Sequence, residues 1–338
     1  MTVQPTISVV VVAHDRVEFV ADALDSLASQ DLDPAFFEVV LCTNLPRSSI
    51  GSRLDASRVT VLELPPGNWG EWILSALPRC RGDVLCFLDD DDWFEPAKLS
   101  RVRSAFERYP SVGYFHNRIR RAFQGSSPTR GQNALALGNS EGPGLGLVED
   151  RKKDQRLLDR LFWSGGGFNL SAMAVRRDLV RSLGPLTSEL EVGHALALFY
   201  AAALGAWDIY FEPEALTRYR VHSANSSTPF GSDVRTEFRR AVERGGTVVR
   251  DSQRIARWIE AAGHGRYSSE AVRSVGGRTR LLASLGLPGL SRASLFHALV
   301  DYLSLTPGRV VADQRGLMAA VALGLLSPRR AAAWLRQG

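Results

Sequence analysis

Four consecutive aspartates, Asp89 to Asp92, are the residues whose type and spacing most directly suggest chemistry. They follow VLCFL at residues 84–88, an apolar run that is typical of a buried strand. Buried carboxylates that adjoin one another raise each other's pKa and lose hydration unless a cation compensates. Because Mg²⁺ and Mn²⁺ prefer hard oxygen ligands, the run predicts a divalent metal site that also binds substrate phosphates. The alternative is a solvated acidic turn ahead of the helix that starts near Pro96.

The elements around this acidic run follow the alternation of an α/β protein. Apolar runs rich in β-branched residues predict further strands at residues 7–13, 38–42, 59–64 and 111–116. Helical spacing of apolar residues predicts three helices: one directly after the first strand, one through WGEWILSAL, and one that ends at Tyr109. We therefore expect a doubly wound sheet flanked by helices. Such sheets bind ligands at the carboxyl ends of their strands, which is where Asp89 stands.

The second half of the sequence changes character twice. Residues 123–150 are rich in Gly, Ser and Pro without periodicity, and we expect either a long loop at the active site or an insertion. Helical and strand patterns resume over residues 157–225, and from about residue 232 the pattern is nearly all helical. These shifts predict an α/β domain over residues 1–228 and a helical C-terminal extension over residues 229–338.

Composition limits the classes of function. The formal net charge of +5 would suit nucleic acid, an anionic membrane or a phosphorylated ligand. The arginines are spread along the chain and no nucleic-acid-binding motif accompanies them, so we expect no nucleic-acid partner. The three cysteines lack metal-ligand spacing, which favours a reduced, cytoplasmic protein. Neither a secretion signal nor an apolar run of about 18 residues is expected to carry the chain into a membrane.

Two segments resemble one enzyme family. RGDVLCFLDDDDWFEPAKL, residues 81–99, resembles the aspartate motif of the family 2 glycosyltransferases, which use nucleotide sugars and have the GT-A fold. ISVVVVAHDRVEFVADALDSLASQ, residues 7–30, resembles the first strand, nucleotide-binding turn and first helix of that family. The match covers about residues 5–225. It implies a GT-A-like mixed sheet and metal-assisted transfer of a sugar, with inversion, from a nucleoside diphosphate to a glycan, lipid-linked or small-molecule hydroxyl.

The resemblance also implies roles for the acidic run. Asp89 and Asp90 would contact the nucleotide sugar. Asp91 would bind Mn²⁺ or Mg²⁺, and Asp92 would contact a metal-bound water or the donor sugar.

A second part of the donor site is implied by RYRVHSANSS, residues 218–227, which resembles the Tyr-Arg-x-His segment of the family. His222 would complete the shell of the metal or the diphosphate, and Arg220 would pair with phosphate oxygens through its planar fork. The alternative is the end of a strand with a surface histidine.

The nucleotide itself is less defined. Ala13, His14 and Asp15 occupy the turn that reads the base and ribose in the family. After the second strand the family usually has an aspartate, whereas this chain continues through Cys42 to Asn44. Because an asparagine amide both donates and accepts hydrogen bonds, Asn44 can still read a pyrimidine edge, and the preferred base stays open.

The catalytic base departs from the family pattern. An inverting transfer needs a group that takes the proton of the acceptor hydroxyl, and the family uses the Asp of a Glu-Asp pair that opens a helix. At that spacing this chain has Gly193 and His194, with Glu191 three residues upstream of His194. Either His194 or Glu191 is the candidate base. The alternatives are that His194 is an ordinary helix-start residue and that Glu191 is a solvated carboxylate. A third possibility is a protein without catalysis that only binds sugar nucleotides or acts as a scaffold.

Two tryptophans are candidates for acceptor binding. Trp163 opens the glycine-rich segment WSGGGFNLSA, and Trp93 directly follows the aspartates. Each ring would stack on a sugar, or would belong to the core and need only a partner for its indole N–H.

The C-terminal tail pairs an apolar helix with a basic one. LMAAVALGLL is followed by SPRRAAAWLRQG, and this combination suits peripheral contact with the inner face of the plasma membrane and a lipid-linked acceptor. The alternative is a helical cap or a dimer contact.

A rival enzyme class, the nucleotidyltransferases, is disfavoured because no Gly-rich phosphate loop with a following Lys is found.

Overall fold

A computed structural model of the protein describes residues 6–14, 17–46, 59–123, 137–222, 225, 234–264, 266–285, 291–306 and 315–336. The chain divides into two compact units. The first unit comprises Met1–Asp154, Ser164–Glu189 and His194–Ala224, and the second comprises Gln155–Trp163, Leu190–Gly193 and Asn225–Gly338. The predicted boundary between residues 228 and 229 lies outside the described residues.

The first unit is built on one mixed sheet. In the described part of the chain its strands are β1 Ile7–Ala13, β2 Phe37–Thr43, β3 Val59–Glu63, β4 Val84–Asp89, β5 Trp93–Phe94, β6 Val112–Phe123, β7 Leu137–Glu141, β8 Gly146–Val148, β9 Met173–Arg176 and β10 Asp208–Val221. Their order is β3-β2-β1-β4-β9-β6-β10-β5, with β7 on β6 and β8 on β10.

Helices alternate with these strands and then follow them. They are α1 Val17–Ala28, α2 Trp69–Ala76, α3 Lys98–Arg108, α4 Gln155–Trp163, α5 Arg177–Ser182, α6 Leu186–Glu189, α7 His194–Leu204, α8 Val234–Ala261, α9 Arg266–Ser284, α10 Arg292–Leu305, α11 Arg315–Leu326 and α12 Pro328–Arg336. The predicted α/β class, a mixed sheet flanked by helices with a helical C-terminal region, is confirmed.

The pairing of the strands explains the sequence patterns. Strands β3, β2, β1 and β4 are parallel neighbours, and β1 is buried along its whole length, as its β-branched run predicts. Strand β9 lies antiparallel between β4 and β6, and β10 runs parallel to β6 and antiparallel to β5. The carboxyl ends of β1, β2 and β4 therefore meet at one edge of the sheet.

Two predictions for the middle of the chain need correction. The expected loop over residues 123–150 contains β7 and β8, although residues 124–136 are not described. The patterns WDIYFEP and ALTRYRVH, over residues 207–213 and 215–222, predict two separate strands, but they belong to the single strand β10. This strand pairs with β6 through register shifts between Glu212 and Thr217. A bulge absorbs the proline, because proline cannot donate to the ladder.

The second unit is helical and has its own apolar core. Helices α8 to α12 pack around buried side chains, among them Phe238, Leu281, Leu285, Leu295 and Tyr302. Helix α8 ends before Gly263, which has a left-handed φ of 77°. Gly265, Pro288 and Pro307, whose residue types also predict helix breaks, lie outside the described residues.

The three cysteines are free and buried in the first unit. Burial raises the pKa of Cys42 and Cys86 to about 12 and that of Cys80 to about 11. In the part of the chain described above, none of the helices is long and apolar enough to cross a membrane.

Candidate functional site

The acidic run forms a tight turn at the carboxyl end of β4. Asp89 is the last residue of β4, and the Asp92 amide donates to the Asp89 carbonyl at 3.2 Å. The turn also bonds to the end of β1, because the Asp90 amide donates to the Val12 carbonyl at 3.0 Å. In return the His14 amide donates to Asp90 Oδ2 at 3.0 Å. The predicted nucleotide-binding turn and the acidic run thus lie side by side.

Three carboxylates of this turn fit a metal ion. One ligand atom from each of Asp89, Asp91 and Asp92 lies within 4.8 Å of the others. Burial and the charge of neighbouring Asp91 raise the pKa of Asp92 to about 7. A cation among these oxygens would offset that repulsion, and hard oxygen donors fit Mg²⁺ or Mn²⁺.

Strand β10 and the residue after it bring Arg220 and His222 to the same turn. The Arg220 amide donates to Asp92 Oδ1 at 3.0 Å, and Arg220 Nε donates to the Asp91 carbonyl at 2.9 Å. Arg220 Nη2 also donates to Asp22 Oδ2 at 2.7 Å. His222 Nε2 lies 2.9 Å from Asp91 Oδ2. The structure therefore brings Arg220 and His222 to the acidic run, while their roles toward ligands stay predictions.

Aromatic rings surround the Arg220 guanidinium. Its Cζ lies 4.7 Å from the ring centroid of Trp93 and 4.6 Å from that of Phe19. Trp93 is buried and belongs to β5, so its ring packs inside the protein. Its predicted contact with an acceptor sugar would require this ring to become accessible.

Two polar residues that no sequence motif singled out, Asn169 and Ser171, hold the acidic turn. Asn169 Nδ2 donates to Asp92 Oδ2 at 3.1 Å, and the Asp89 amide donates to Ser171 Oγ at 3.1 Å. Asn169 has φ 64°, a left-handed conformation that asparagine tolerates better than most residues. Its Oδ1 also accepts from the Ala172 amide at 2.9 Å. The only sequence signal was their position in the glycine-rich segment 163–172.

A third residue that the sequence did not single out is the buried lysine Lys98, which opens α3. Its Nζ donates to Asn117 Oδ1 and, at 3.5 Å, to the Ser171 carbonyl. Burial lowers the pKa of Lys98 to about 7. The lysine therefore supports the segment that carries Ser171 from inside the core, and nothing in its helical pattern distinguishes it from a solvated lysine.

The two candidate bases have different surroundings. His194 opens α7 and is 2% exposed, and its Nε2 lies 3.0 Å from the Thr187 carbonyl. Its ring centroid lies 4.8 Å from that of Trp69. The carboxylate of Glu191 is 46% exposed and lies 3.1 Å from Arg250 Nη2. The Glu191 carboxylate is therefore partly exposed, whereas the His194 ring is buried.

The remaining predicted residues lie in three places. Ala13 ends β1 opposite Thr43 of β2, so that His14 and Asn44 follow at the same sheet edge. Asp15 lies outside the described residues. Trp163 ends α4 in the second unit.

The neighbours of two of these rings are defined. The His14 ring lies 5.0 Å from that of Trp72, between centroids. The Trp163 ring packs edge-on against Phe162 at 4.7 Å. A platform of His14 and Trp72 therefore flanks the end of β1.

Solved structures share this fold at low sequence identity. S. aureus TarS 1-349 in complex with UDP-GlcNAc is 17% identical, with a TM-score of 0.57 over 98% of this chain and 89% of that one. S. aureus TarS matches over 54% of its own length with a TM-score of 0.56. The mannosyltransferase PcManGT from Pyrobaculum calidifontis, in complex with GDP-Man and Mn²⁺, is 15% identical, with a TM-score of 0.50 over 96% and 88% of the two chains.

The sequence comparisons give the family. A search of curated proteins finds no significant match. The family model described as "Glycosyl transferase family 2" matches residues 8–184, which include the acidic run, the turn after β1 and the segment that carries Asn169. Because this match spans more than half of the 338 residues, the chain belongs to glycosyl transferase family 2.

Proposed function

We propose that this glycosyltransferase moves a sugar from a nucleoside-diphosphate donor to a hydroxyl acceptor, with inversion and with the help of Mn²⁺ or Mg²⁺. The observation that carries the proposal is the cluster of Asp89, Asp91 and Asp92, whose ligand atoms lie within 4.8 Å of one another. This cluster stands at the carboxyl end of a central strand, the usual ligand site of such sheets. When bound, the metal neutralises charge on the departing diphosphate.

The residues of the chain prepare the site for a donor. Arg220 fixes the acidic turn through Asp91, Asp92 and Asp22, so the carboxylates keep one arrangement. The ring of His14, backed by Trp72, offers an aromatic surface for the nucleoside. Asn44, at the same sheet edge, supplies an amide for the base. TarS 1-349 and PcManGT, which share the fold, bind UDP-GlcNAc and GDP-Man respectively.

For the proton transfer we propose Glu191 as the general base. Its carboxylate is 46% exposed, whereas His194 is buried against Thr187 and Trp69. A general base has to come within hydrogen-bond reach of the acceptor hydroxyl, which an exposed carboxylate does without rearrangement of the core.

The donor site is tested by differential scanning calorimetry with a panel of nucleoside diphosphates, each with and without Mn²⁺. A ligand that binds the native state at ~100 times its dissociation constant adds roughly 2.7 kcal/mol of stability. We expect stabilisation that needs both metal and one nucleotide in the wild type and in Asp178→Asn, a change of an exposed aspartate on α5. Asp91→Asn should lose it. No stabilisation by any nucleotide would contradict the proposal.

The second candidate is a protein that binds sugar nucleotides without catalysis. Gly193 and His194 favour it, because they stand where the family resemblance places the Glu-Asp pair. Release of nucleoside diphosphate from a sugar donor separates the two. Slow hydrolysis that is lost in Glu191→Gln supports the transferase, and binding without any release supports the inert protein.

We also propose that the second unit contacts an anionic membrane surface, where a lipid-linked acceptor would be found. Phe296, Val300 and Leu303 form an exposed apolar stripe along α10, and Leu326 at the end of α11 is 75% exposed. Arg292 Nη2 donates to the Leu326 carbonyl at 3.0 Å, which joins the start of α10 to the end of α11. Residues 291–338 contain six arginines and two aspartates, a balance that suits anionic lipid.

Vesicle co-sedimentation tests this contact. Vesicles with phosphatidylglycerol should bind the protein more strongly than phosphatidylcholine vesicles, and Phe296→Ser with Val300→Ser should weaken the binding. Val242→Ser, a change of an exposed valine on α8, is the matched control and should bind as the wild type does. Equal binding to both vesicle types would contradict the proposal. If the protein forms a concentration-dependent dimer, and if the Phe296→Ser and Val300→Ser changes abolish it, the stripe is a dimer contact instead.

A further inference from the structure

The segment just before α7 has an unusual backbone arrangement. Three successive amides, those of Glu191, Val192 and Gly193, all donate to one atom, Asp251 Oδ2, at 2.9, 2.8 and 3.0 Å. Successive N–H groups that converge in this way form a nest, which favours a negatively charged occupant. Here the occupant is a buried carboxylate of α8, inside the second unit.

Helix α8 also holds the side chain of Glu191. Arg250 Nη2 lies 3.1 Å and Arg254 Nη1 lies 4.0 Å from Glu191 Oε1. Arg254 Nη1 in addition donates to Asp251 Oδ1 at 3.1 Å. One turn of α8 therefore accepts a hydrogen bond from the Glu191 amide and pairs with the Glu191 carboxylate.

Gly193 permits this close approach. A Cβ at position 193 would lie 2.9 Å from Ile255 Cδ1 and 3.3 Å from Asp251 Cβ. A larger residue would have to displace the Ile255 methyl group and would crowd Asp251 Cβ, so glycine lets the segment lie close to α8. Gly193 and Asp251 thus together keep this segment close to α8.

We infer that Asp251 is a positioning residue for catalysis, which acts by holding Glu191 in place. This inference rests on the proposed function, in which Glu191 takes the acceptor proton. A displacement of about 1 Å at a catalytic group can cost about 100-fold in rate, so a base on an irregular segment needs such an anchor. The C-terminal helices are then a working part of the transferase, because they supply the anchor of its base.

Kinetics of donor hydrolysis and of transfer test the inference. Asp251→Ala and Gly193→Ala should each lower kcat about tenfold or more and leave the donor KM within about twofold. Asp251→Asn keeps one oxygen that can accept from the nest and should recover part of kcat. Amide hydrogen exchange at residues 191–193 should become faster in Asp251→Ala. Unchanged exchange with unchanged kcat would overturn the inference.

A double-mutant cycle separates positioning from general loss of stability. If Asp251 acts through Glu191, the double variant of Asp251→Ala with Glu191→Gln should be no slower than Glu191→Gln alone. If the double variant instead shows the product of the two single reductions in kcat, the inference is overturned. Glu237→Gln is the matched control, because Glu237 is a buried carboxylate of the same helix that pairs with Arg278. It should lower the melting temperature and leave kcat unchanged.

The outcomes also distinguish this inference from the proposed function. If Glu191→Gln lowers kcat while Asp251→Ala and Gly193→Ala do not, the anchor fails and the transferase stands. If wild-type protein binds donor and metal but never turns over, the proposed function and the inference fall together. Should Asp251→Ala not fold, as seen by circular dichroism, Asp251→Asn and Gly193→Ala carry the test.

Discussion

His222 Nε2 lies 2.9 Å from Asp91 Oδ2, although 131 positions separate the two residues in the sequence. The contact exists because β10 pairs with β5, the short strand that directly follows the aspartates. The pairing of β10 with β5 thus brings this imidazole close to carboxylates that lie far from it in the sequence. The imidazole stands where it can orient Asp91 toward a metal ion.

This geometry predicts the metal dependence of His222→Ala. Loss of a partner that orients a metal ligand typically costs about 10- to 100-fold in metal affinity. The Mn²⁺ concentration for half-maximal donor hydrolysis should rise by about that factor, with little change in kcat at saturating metal. Titration of activity with Mn²⁺ measures it. His264→Ala, a change in the second unit, is the control, and an identical curve for His222→Ala and wild type would contradict the prediction.

Asn169 offers a test of the turn in the absence of metal. Asn169→Ala removes a bond to the buried Asp92 carboxylate and places alanine at φ 64°, so we expect a loss of about 2–4 kcal/mol of unfolding free energy. Asn169→Gly accepts the backbone conformation and loses only the side-chain bonds, and its loss should be smaller. Urea denaturation measures both. Equal losses would show that backbone strain plays no part.

Lys98 predicts a pH dependence of stability. Its pKa is lowered by burial from 10.5 to about 7, so between these values the unfolded chain binds the proton and the folded chain does not. The folded state therefore gains stability as pH rises from about 7 towards 10.5, by up to roughly 1.4 kcal/mol per pH unit. Below about pH 7 the full penalty of burying the lysine is present.

The variant Lys98→Met isolates this effect, since other titrating groups cancel in the difference. Unfolding free energies of wild type and Lys98→Met, measured in urea at pH 7, 8 and 9, should converge or cross in favour of the wild type as pH rises. Parallel curves would mean that Lys98 keeps its proton in the folded state.

Gly70 predicts a packing limit next to His194. A Cβ on Gly70 would lie 1.7 Å from the Thr187 carbonyl oxygen and 2.7 Å from His194 Nε2, so Gly70→Ala must displace backbone. We expect the free energy of unfolding, measured by thermal unfolding, to fall by about 1–3 kcal/mol or more. Gly245→Ala is the control, because its Cβ would meet Thr279 Cγ2 at an ordinary 3.5 Å inside a helix. It should be neutral or stabilising, by up to about 1 kcal/mol.

Local signals in the sequence predicted the parts of the fold that depend on local physics. The β-branched run of β1 and the aspartates after β4 identified the central strands and the ligand edge, because burial on both faces and clustered charge leave strong patterns. Strands β7 and β8 were missed, since their Gly-rich sequences become strands only by pairing with β6 and β10.

The supporting residues of the site depend on long-range contacts, which periodicity does not contain. Asn169 and Ser171 bond to the acidic turn from one segment, and Asp22 of α1 pairs with Arg220, which bonds to the same turn. Each of the three looks like an ordinary surface or turn residue in the sequence. Lys98 occupies a position in an amphipathic helix where a lysine is normally solvated. Asp251 stands in α8, sixty residues beyond Glu191, and its carboxylate accepts a hydrogen bond from the Glu191 amide.

The three buried cysteines make this protein convenient for site-specific labelling. Alkylating dyes and spin labels react with thiolate, and Cys42, Cys80 and Cys86 hold their protons behind the packed strands and helices of the first unit. A fluorophore attached to a cysteine introduced on the exposed face of α10 should therefore report from that site alone. The native thiols can stay in place during single-molecule or paramagnetic measurements, with no substitution in the core.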